Sequence, residues 1–420
     1  MVQSYLKQPN NSEKKLQAWD WILIIGITLS PMNRLRTWKV GPGELLCILW
    51  CLKYIWQLLT VTINNCLLRF WLVFLPVIVV GTAYGQLFFP KETEPGALLT
   101  WVYFFFISVS IYTGMSTKSP EQIKKFLVIL STVVTLWYMF LYIYSKNVSR
   151  IFLGVNLWYW QVRYSGGGNN PHLLASLIAG VMFFNVYLLF DKGSVLKKIL
   201  PLICTVFNLI IALATKSSTL YISLVVTMVS FAVYRILTVI PGKREKWVAL
   251  SVMVIITSLF LGLTWTQLYE MIYAAISGDA NGMGRLEIFK SIVVTLKKNW
   301  VFGLGPGTHG MDGTIEYHNT YLEILAMGGV IGLGLFTAFS WRLYKLIRPY
   351  RWMLFGVLPL YLYGMGGFTM RRLSSWAILA ILIACADRSN EAAKRASEPG
   401  AAQARSSPAA LEQRSFLKRF

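Results

Sequence analysis

The sequence predicts an all-α integral membrane protein with about 12 transmembrane helices, and three observations lead there. Of its 420 residues, 55% are hydrophobic and 14% charged, with a mean hydropathy of +0.54. A soluble chain of this length would need far more charge to cover its surface. The apolar residues also fall in blocks of about 20, separated by short polar breaks, which is the length that crosses a bilayer as a helix. Finally, hydrocarbon offers no water to backbone polar groups, so the spanning segments must be helices.

The blocks lie at 18–32, 42–60, 67–89, 97–114, 123–145, 171–190, 197–214, 217–240, 247–266, 318–341, 352–367 and 373–387. The first is short, and Pro31 is placed to break it. Met1 to Gln17 is polar and leads into a multi-span pattern, so no cleavable signal peptide is expected. With the N-terminus inside, the even-numbered loops carry Lys118, Lys124 and Lys125, then Lys192, Lys197 and Lys198, then Lys243, Arg244 and Lys246, then Arg342, Lys345, Arg348 and Arg351. Short basic loops mark the cytoplasmic side. Residues 1–387 therefore form a polytopic domain with cytoplasmic termini. The 388–420 stretch, rich in Ala, Ser, Glu, Arg and Pro, reads as a disordered cytoplasmic tail.

Net charge is +22, yet no basic domain stands apart from the apolar blocks, so nucleic acid is not an expected partner. The far face carries Arg34, Arg36, Lys39, Arg150, Arg163, Lys216, Arg285, Lys290, Lys297, Lys298, Arg371 and Arg372. Topology alone does not ask for so many external cations; either the span count is off or that face binds a polyanion. The five cysteines sit in or beside apolar segments without metal-site spacing. Glu92 and Glu94, between Pro90 and Pro95, read as a solvated turn, and the scattered acids of the large loop show no ligand spacing. Neither a metal nor a cofactor is expected.

Two far-face loops are long, at about 145–170 and 267–317. In the larger one, between spans nine and ten, Leu286, Phe289, Ile292, Val293 and Leu296 recur at helical spacing and predict an amphipathic helix opened by Arg285. It is expected along the membrane surface or capping the bundle. A glycine-rich turn, VFGLGPG at 301–307, follows. His318, Asn319 and Thr320 then stand where the chain enters the tenth span, with Glu323 one turn on and Gly328-Gly329 beyond.

This order of motifs resembles the O-antigen ligase and polymerase superfamily over about 163–336. The resemblance rests on Arg285 opening a helix, Trp300 with Gly303 to Gly307, and His318-Asn319 with Leu322 and Gly328-Gly329. Upstream, Arg163, Gly166 to Gly168 and Asn170-Pro171 match a second family feature; Thr215-Lys216-Ser217-Ser218 matches a third, with lysine where the family often has arginine. The resemblance implies a GT-C-like inner-membrane glycosyltransferase with a periplasmic site. Its donor would be an undecaprenyl-diphosphate-linked polysaccharide and its acceptor the lipid A-core oligosaccharide, with membrane lipids around both.

That chemistry sorts the residues. An ordinary imidazole, titrating near about 6.5, can accept a proton near pH 7, so His318 is the candidate base; the bland reading is a histidine anchoring a helix end. Arg285 and Arg163 are the candidate catalytic cations, because a planar fork suits diphosphate oxygens; the bland reading is snorkelling. Lys216, Asn319, Glu323, Arg371 and Arg372 are candidate substrate-binding residues. Asn319 equally reads as the helix cap, and Glu323 as an orienting carboxylate. Gly328 and Gly329 read as close-packing residues, and His172 and His309 as solvated. The favoured function is ligase. The alternatives are a polymerase of the same superfamily and, more distantly, a secondary transporter, which should hold acids or broken helices at mid-membrane.

Overall fold

The computed structural model describes residues 16–35, 40–60, 65–190, 194–263, 269, 285–308 and 317–397. Thirteen α-helices lie among them: α1 (Ala18–Leu29), α2 (Pro42–Leu52), α3 (Cys66–Phe88), α4 (Gly96–Ser116), α5 (Pro120–Asn147), α6 (Pro171–Leu189), α7 (Leu196–Thr215), α8 (Ser218–Val239), α9 (Lys243–Leu263), α10 (Arg285–Lys298), α11 (Thr320–Ile347), α12 (Arg351–Gly364) and α13 (Leu373–Ser397). Every predicted block falls on one of them. Seven, α3 to α8 and α11, are long and apolar enough to cross a membrane, so the chain is a mostly helical membrane protein. The first two blocks yield only 12 and 11 helical residues, each about 18 Å or less against about 30 Å of hydrocarbon. These two pair closely: Gly43 leaves no room for a Cβ beside the Gly26 carbonyl and the Leu29–Ser30 backbone.

α13 runs through the middle, packed chiefly on α4 with α5, α6 and α11 alongside. Its residues Trp376 to Ala386 are all buried, and the alanines among them let neighbouring backbones approach. Trp376 packs on Trp71 and Phe70 at ring separations of 4.6 and 5.8 Å. Interhelical hydrogen bonds tie α5 to α6 and α7: Asn185 donates to Ser131 (2.8 Å) and Thr135 to Asn208 (3.1 Å). Such pairs matter in lipid because the alternative is an unsatisfied polar group.

α11 is not continuous. Gly329 has φ 61° and ψ −161°, which breaks the helix, so Gly328-Gly329 do more than permit packing. Residues 300–305 fill the break. Leu304 and Gly305 donate to the Ala326 and Met327 carbonyls (2.9 and 3.1 Å), and Val330 and Ile331 donate to the Trp300 and Val301 carbonyls (2.9 and 3.3 Å). Backbone groups freed by the break are thereby satisfied within the protein, as membrane depth requires. On its other side this segment lies against α3, where a Cβ on Gly81 or Gly85 would strike the Phe302 or Leu304 carbonyl.

Lys298, at the end of α10, pairs with Glu92 and stands over the Phe89 ring (5.2 Å), so Glu92 is not simply solvated. Both side chains are about a quarter exposed, which limits the pair to about 1 kcal/mol. Glu92→Gln and Lys298→Gln should each lower the midpoint of thermal unfolding slightly, and the double variant no further than the worse single one. Additive losses in the double-mutant cycle would mean that the pair does not couple α10 to the α3–α4 turn.

Two regions refine the sequence reading. The loop expected at 145–170 starts after α5 ends at Asn147, and it is not irregular throughout: it holds two small antiparallel hairpins, β1 (Ile151–Phe152) with β2 (Val155–Asn156), and β3 (Trp158–Tyr159) with β4 (Arg163–Tyr164). Residues 388–397, expected as the start of a disordered tail, are instead helical, because α13 runs on to Ser397, and the rest of that stretch lies outside the described residues. Arg388–Glu391 (2.7 Å) and Glu391–Arg395 (4.0 Å) pairs at i,i+3 and i,i+4 support that extension.

Candidate functional site

Asn319 sets the site by starting α11. Its side chain accepts from the Tyr321 and Leu322 amides (2.9 and 3.1 Å) and donates to the Met365 carbonyl (2.7 Å). The capping role is thus realised, and it also ties α11 to the α12–α13 turn. Thr320 strengthens that tie, donating to the Gly367 carbonyl (2.9 Å) and accepting from the Thr369 amide (2.8 Å).

His318 precedes the cap with φ 43°, a left-handed conformation that histidine tolerates better than most residues. This turn aims its half-buried ring between two others. Phe368 lies 5.0 Å away and His172 6.4 Å away, centroid to centroid. His172 is therefore not simply solvated. Its Nδ1 is 2.8 Å from the hydroxyl of Tyr363, which is fully buried.

Tyr363 also lies within electrostatic reach of two arginines. Ser217 interacts with its hydroxyl, and the charges of Arg163 and Arg372 act on it. Arg163 leaves β4 and donates through Nε to the Thr215 carbonyl at the end of α7 (3.0 Å). The next residue, Lys216, is exposed in a left-handed cap with φ 49°. Arg163, Lys216, Arg372, His172 and His318 thus share one end of the bundle.

Glu323 is buried and pairs with Arg371 at 3.2 Å; Arg371 also covers the Phe368 ring at 5.1 Å. These three line a cleft with Tyr317, Thr308 and the Gly305 and Gly307 backbone. Burial pushes the Tyr317 phenol up, while Thr295, 2.7 Å away, links it to α10. The apolar face of α10 packs there too, Ile292 joining Tyr317 and Ala326, so α10 caps the bundle. Phe368 joins the two groups, since both His318 and Arg371 lie against its ring.

Arg285 begins α10 as expected, but its side chain lies outside the described residues, as does His309. Sequence reasoning missed Tyr363, Phe368 and the Thr320–Thr369 tie. A buried tyrosine in an apolar block gives no local signal; the polar Thr369 beside Arg371-Arg372 was the one available hint. Among the described residues no three His, Cys, Asp or Glu side chains gather as metal ligands would.

The fold and site together define a polytopic helical membrane protein with a histidine-and-cation cluster at one mouth of its bundle. Residues 203–337 match the protein family described as O-antigen ligase. That match supports, over this stretch, the resemblance to the O-antigen ligase superfamily carried by the motif order. The match contains Lys216, Arg285, His318, Asn319 and Glu323, and leaves Arg163, Arg371 and Arg372 outside it. Among curated proteins, none matches.

Proposed function

We propose that this membrane enzyme is an O-antigen ligase of the inner membrane, working on the periplasmic face with both termini cytoplasmic. It transfers a polysaccharide from undecaprenyl diphosphate to a hydroxyl of lipid A-core. The observation that carries this reading is the placement of His318, within the matched domain, in one cluster with Arg163, Lys216 and Arg372 from distant elements.

In the proposed step, the acceptor hydroxyl attacks the anomeric carbon of the donor as the bond to the diphosphate oxygen breaks. His318 takes the hydroxyl proton. Arg163 and Arg285, with Lys216 and Arg372, hold the negative charge that leaves on undecaprenyl diphosphate. A single displacement inverts the anomeric configuration. Glu323 and Arg371, paired beside Phe368, serve the acceptor side. The break in α11 does not favour a transporter, because residues 300–305 occupy its backbone groups rather than an ion.

The test is a gel of lipopolysaccharide from a deletion strain. Ligase loss leaves bare core and accumulates lipid-linked polymer. Core capped with a single repeat unit would identify a polymerase and reject this reading. Purified protein given donor and acceptor is further expected to keep its transfer rate in excess EDTA, since arginines carry the leaving-group charge. Loss restored by magnesium or manganese would contradict that assignment.

A further inference from the structure

The tips of the two hairpins between α5 and α6 carry residues poorly suited to their turns. Leu153 and Gly154 have φ 47° and 75°, and Trp160 and Gln161 have φ 45° and 59°. Tight turns with paired positive φ favour Asn, Asp and Gly; a large side chain there is strained. Yet the protein does not bury these side chains: Leu153 is 75% exposed and Trp160 64%. Ile151 and Val162, beside the tips, are exposed as well. Two strained positions thus hold large apolar groups that the fold itself leaves uncovered.

Their depth indicates what covers them. Phe152, next to Leu153, packs on Trp137, Phe140 and Tyr144 of α5 at ring separations of 6.0, 6.3 and 5.4 Å. Trp137 is ten residues before the end of α5 at Asn147, about 15 Å back along the axis. α5 has 28 residues, or about 42 Å, against about 30 Å of hydrocarbon. The first hairpin therefore folds back along the helix instead of standing out in water. The face it meets is the outer surface of a candidate span, where Leu136, Phe140 and Ile143 are exposed. The apolar tips continue that surface. Lys146 and Arg150 lie over the Trp158 ring at 4.7 and 5.7 Å, and this mixture of cations and indole belongs to the headgroup level. Irregular backbone is not tolerated in bare hydrocarbon, so the acyl–headgroup boundary is the depth that fits.

We propose that the two hairpins are an interfacial anchor that inserts Leu153 and Trp160, with Ile151 and Val162, into the phospholipid leaflet on the site face. This anchor holds Arg163, which pairs with Tyr159 in the second hairpin, at the level of lipid phosphates. The inference concerns the bilayer and not the transferred glycan, so it stands or falls separately from the proposed reaction.

The test places a nitroxide at Leu153→Cys or Trp160→Cys in the full chain. The protein is reconstituted in vesicles of phosphatidylethanolamine and phosphatidylglycerol, and collision with oxygen is compared with collision with a water-soluble nickel chelate. The parent chain supplies the background from its native cysteines. Val226→Cys, on an exposed position of the α8 span, is the lipid reference, and Glu94→Cys, in an exposed turn, the aqueous one. Both hairpin labels should prefer oxygen, as Val226 does. Preference for nickel, as at Glu94, would overturn the anchor, as would shielding from both reagents, which would mean a protein covers the tips. Leu153→Asn suits the turn backbone, so it should keep the protein's thermal half-life in detergent while shifting the Trp160 label towards nickel; an unmoved label would deny Leu153 its anchoring role.

Discussion

His318→Ala is expected to lower the single-turnover rate by about 10² to 10⁴, the usual worth of a positioned general base, while donor affinity changes little. Alanine removes the base but also strains a backbone position at φ 43°. His318→Asn separates the two effects, because asparagine accepts the left-handed turn and cannot act as the base. Both variants should lose rate alike. The base works only when neutral, so the wild-type rate should fall as pH drops through the imidazole titration, and the asparagine variant should lose that dependence. The cations should behave oppositely. Arg163→Lys keeps charge but loses the fork that meets a diphosphate and the Nε donated to Thr215, so donor binding should weaken together with rate; Arg285→Lys tests the second arginine in the same way. Donor affinity and single-turnover rate, measured after equal folded yield is established, decide the matter. Lost donor binding in both His318 variants beside a normal Arg163→Lys would reverse the assigned roles.

How much of this was legible in the sequence depends on the range of each interaction. The helices were, because a block of about 20 apolar residues is a local signal that only a helix satisfies in lipid. The Asn319 cap and the amphipathic α10 were legible for the same reason. His318 stood out through its place before a span, and Glu323 as a carboxylate inside one. The partners were not legible. His172 meets Tyr363 across 191 residues, and Arg163 meets Thr215 across 52. Nothing near either residue in the chain announces such contacts. His172 therefore read as solvated, though it lies beside His318. The re-entrant segment at 300–305 was half legible. Its glycines signalled a turn, but the matching gap, made by Gly81, Gly85 and Gly329 on two other helices, appears only when those helices are assembled.

That gap leads to the second large effect, which falls on stability. Gly329→Ala places a side chain at φ 61° and ψ −161°, a region essentially reserved for glycine that costs an L residue about 1–3 kcal/mol. The new Cβ also strikes the Val301 carbonyl and the Trp300 carbonyl oxygen, the groups that accept from Ile331 and Val330. The 300–305 segment cannot yield without giving up those hydrogen bonds, and each orphaned buried group costs about 1–3 kcal/mol more. A total loss of about 3 kcal/mol or more is expected, at the top of the range for single substitutions. Gly334→Ala is the control. It lies five residues on in the same helix, has helical backbone and meets nothing within 4 Å, so alanine there should be neutral or stabilising by up to about 1 kcal/mol. Since unfolding in detergent is often irreversible, the half-life at a fixed temperature is the quantity to compare. A Gly329→Ala protein that survives as long as wild type would mean that α11 can close without its break. The loop that brings Thr308 and the Gly305 and Gly307 backbone to the Glu323–Arg371 cleft would then need another support.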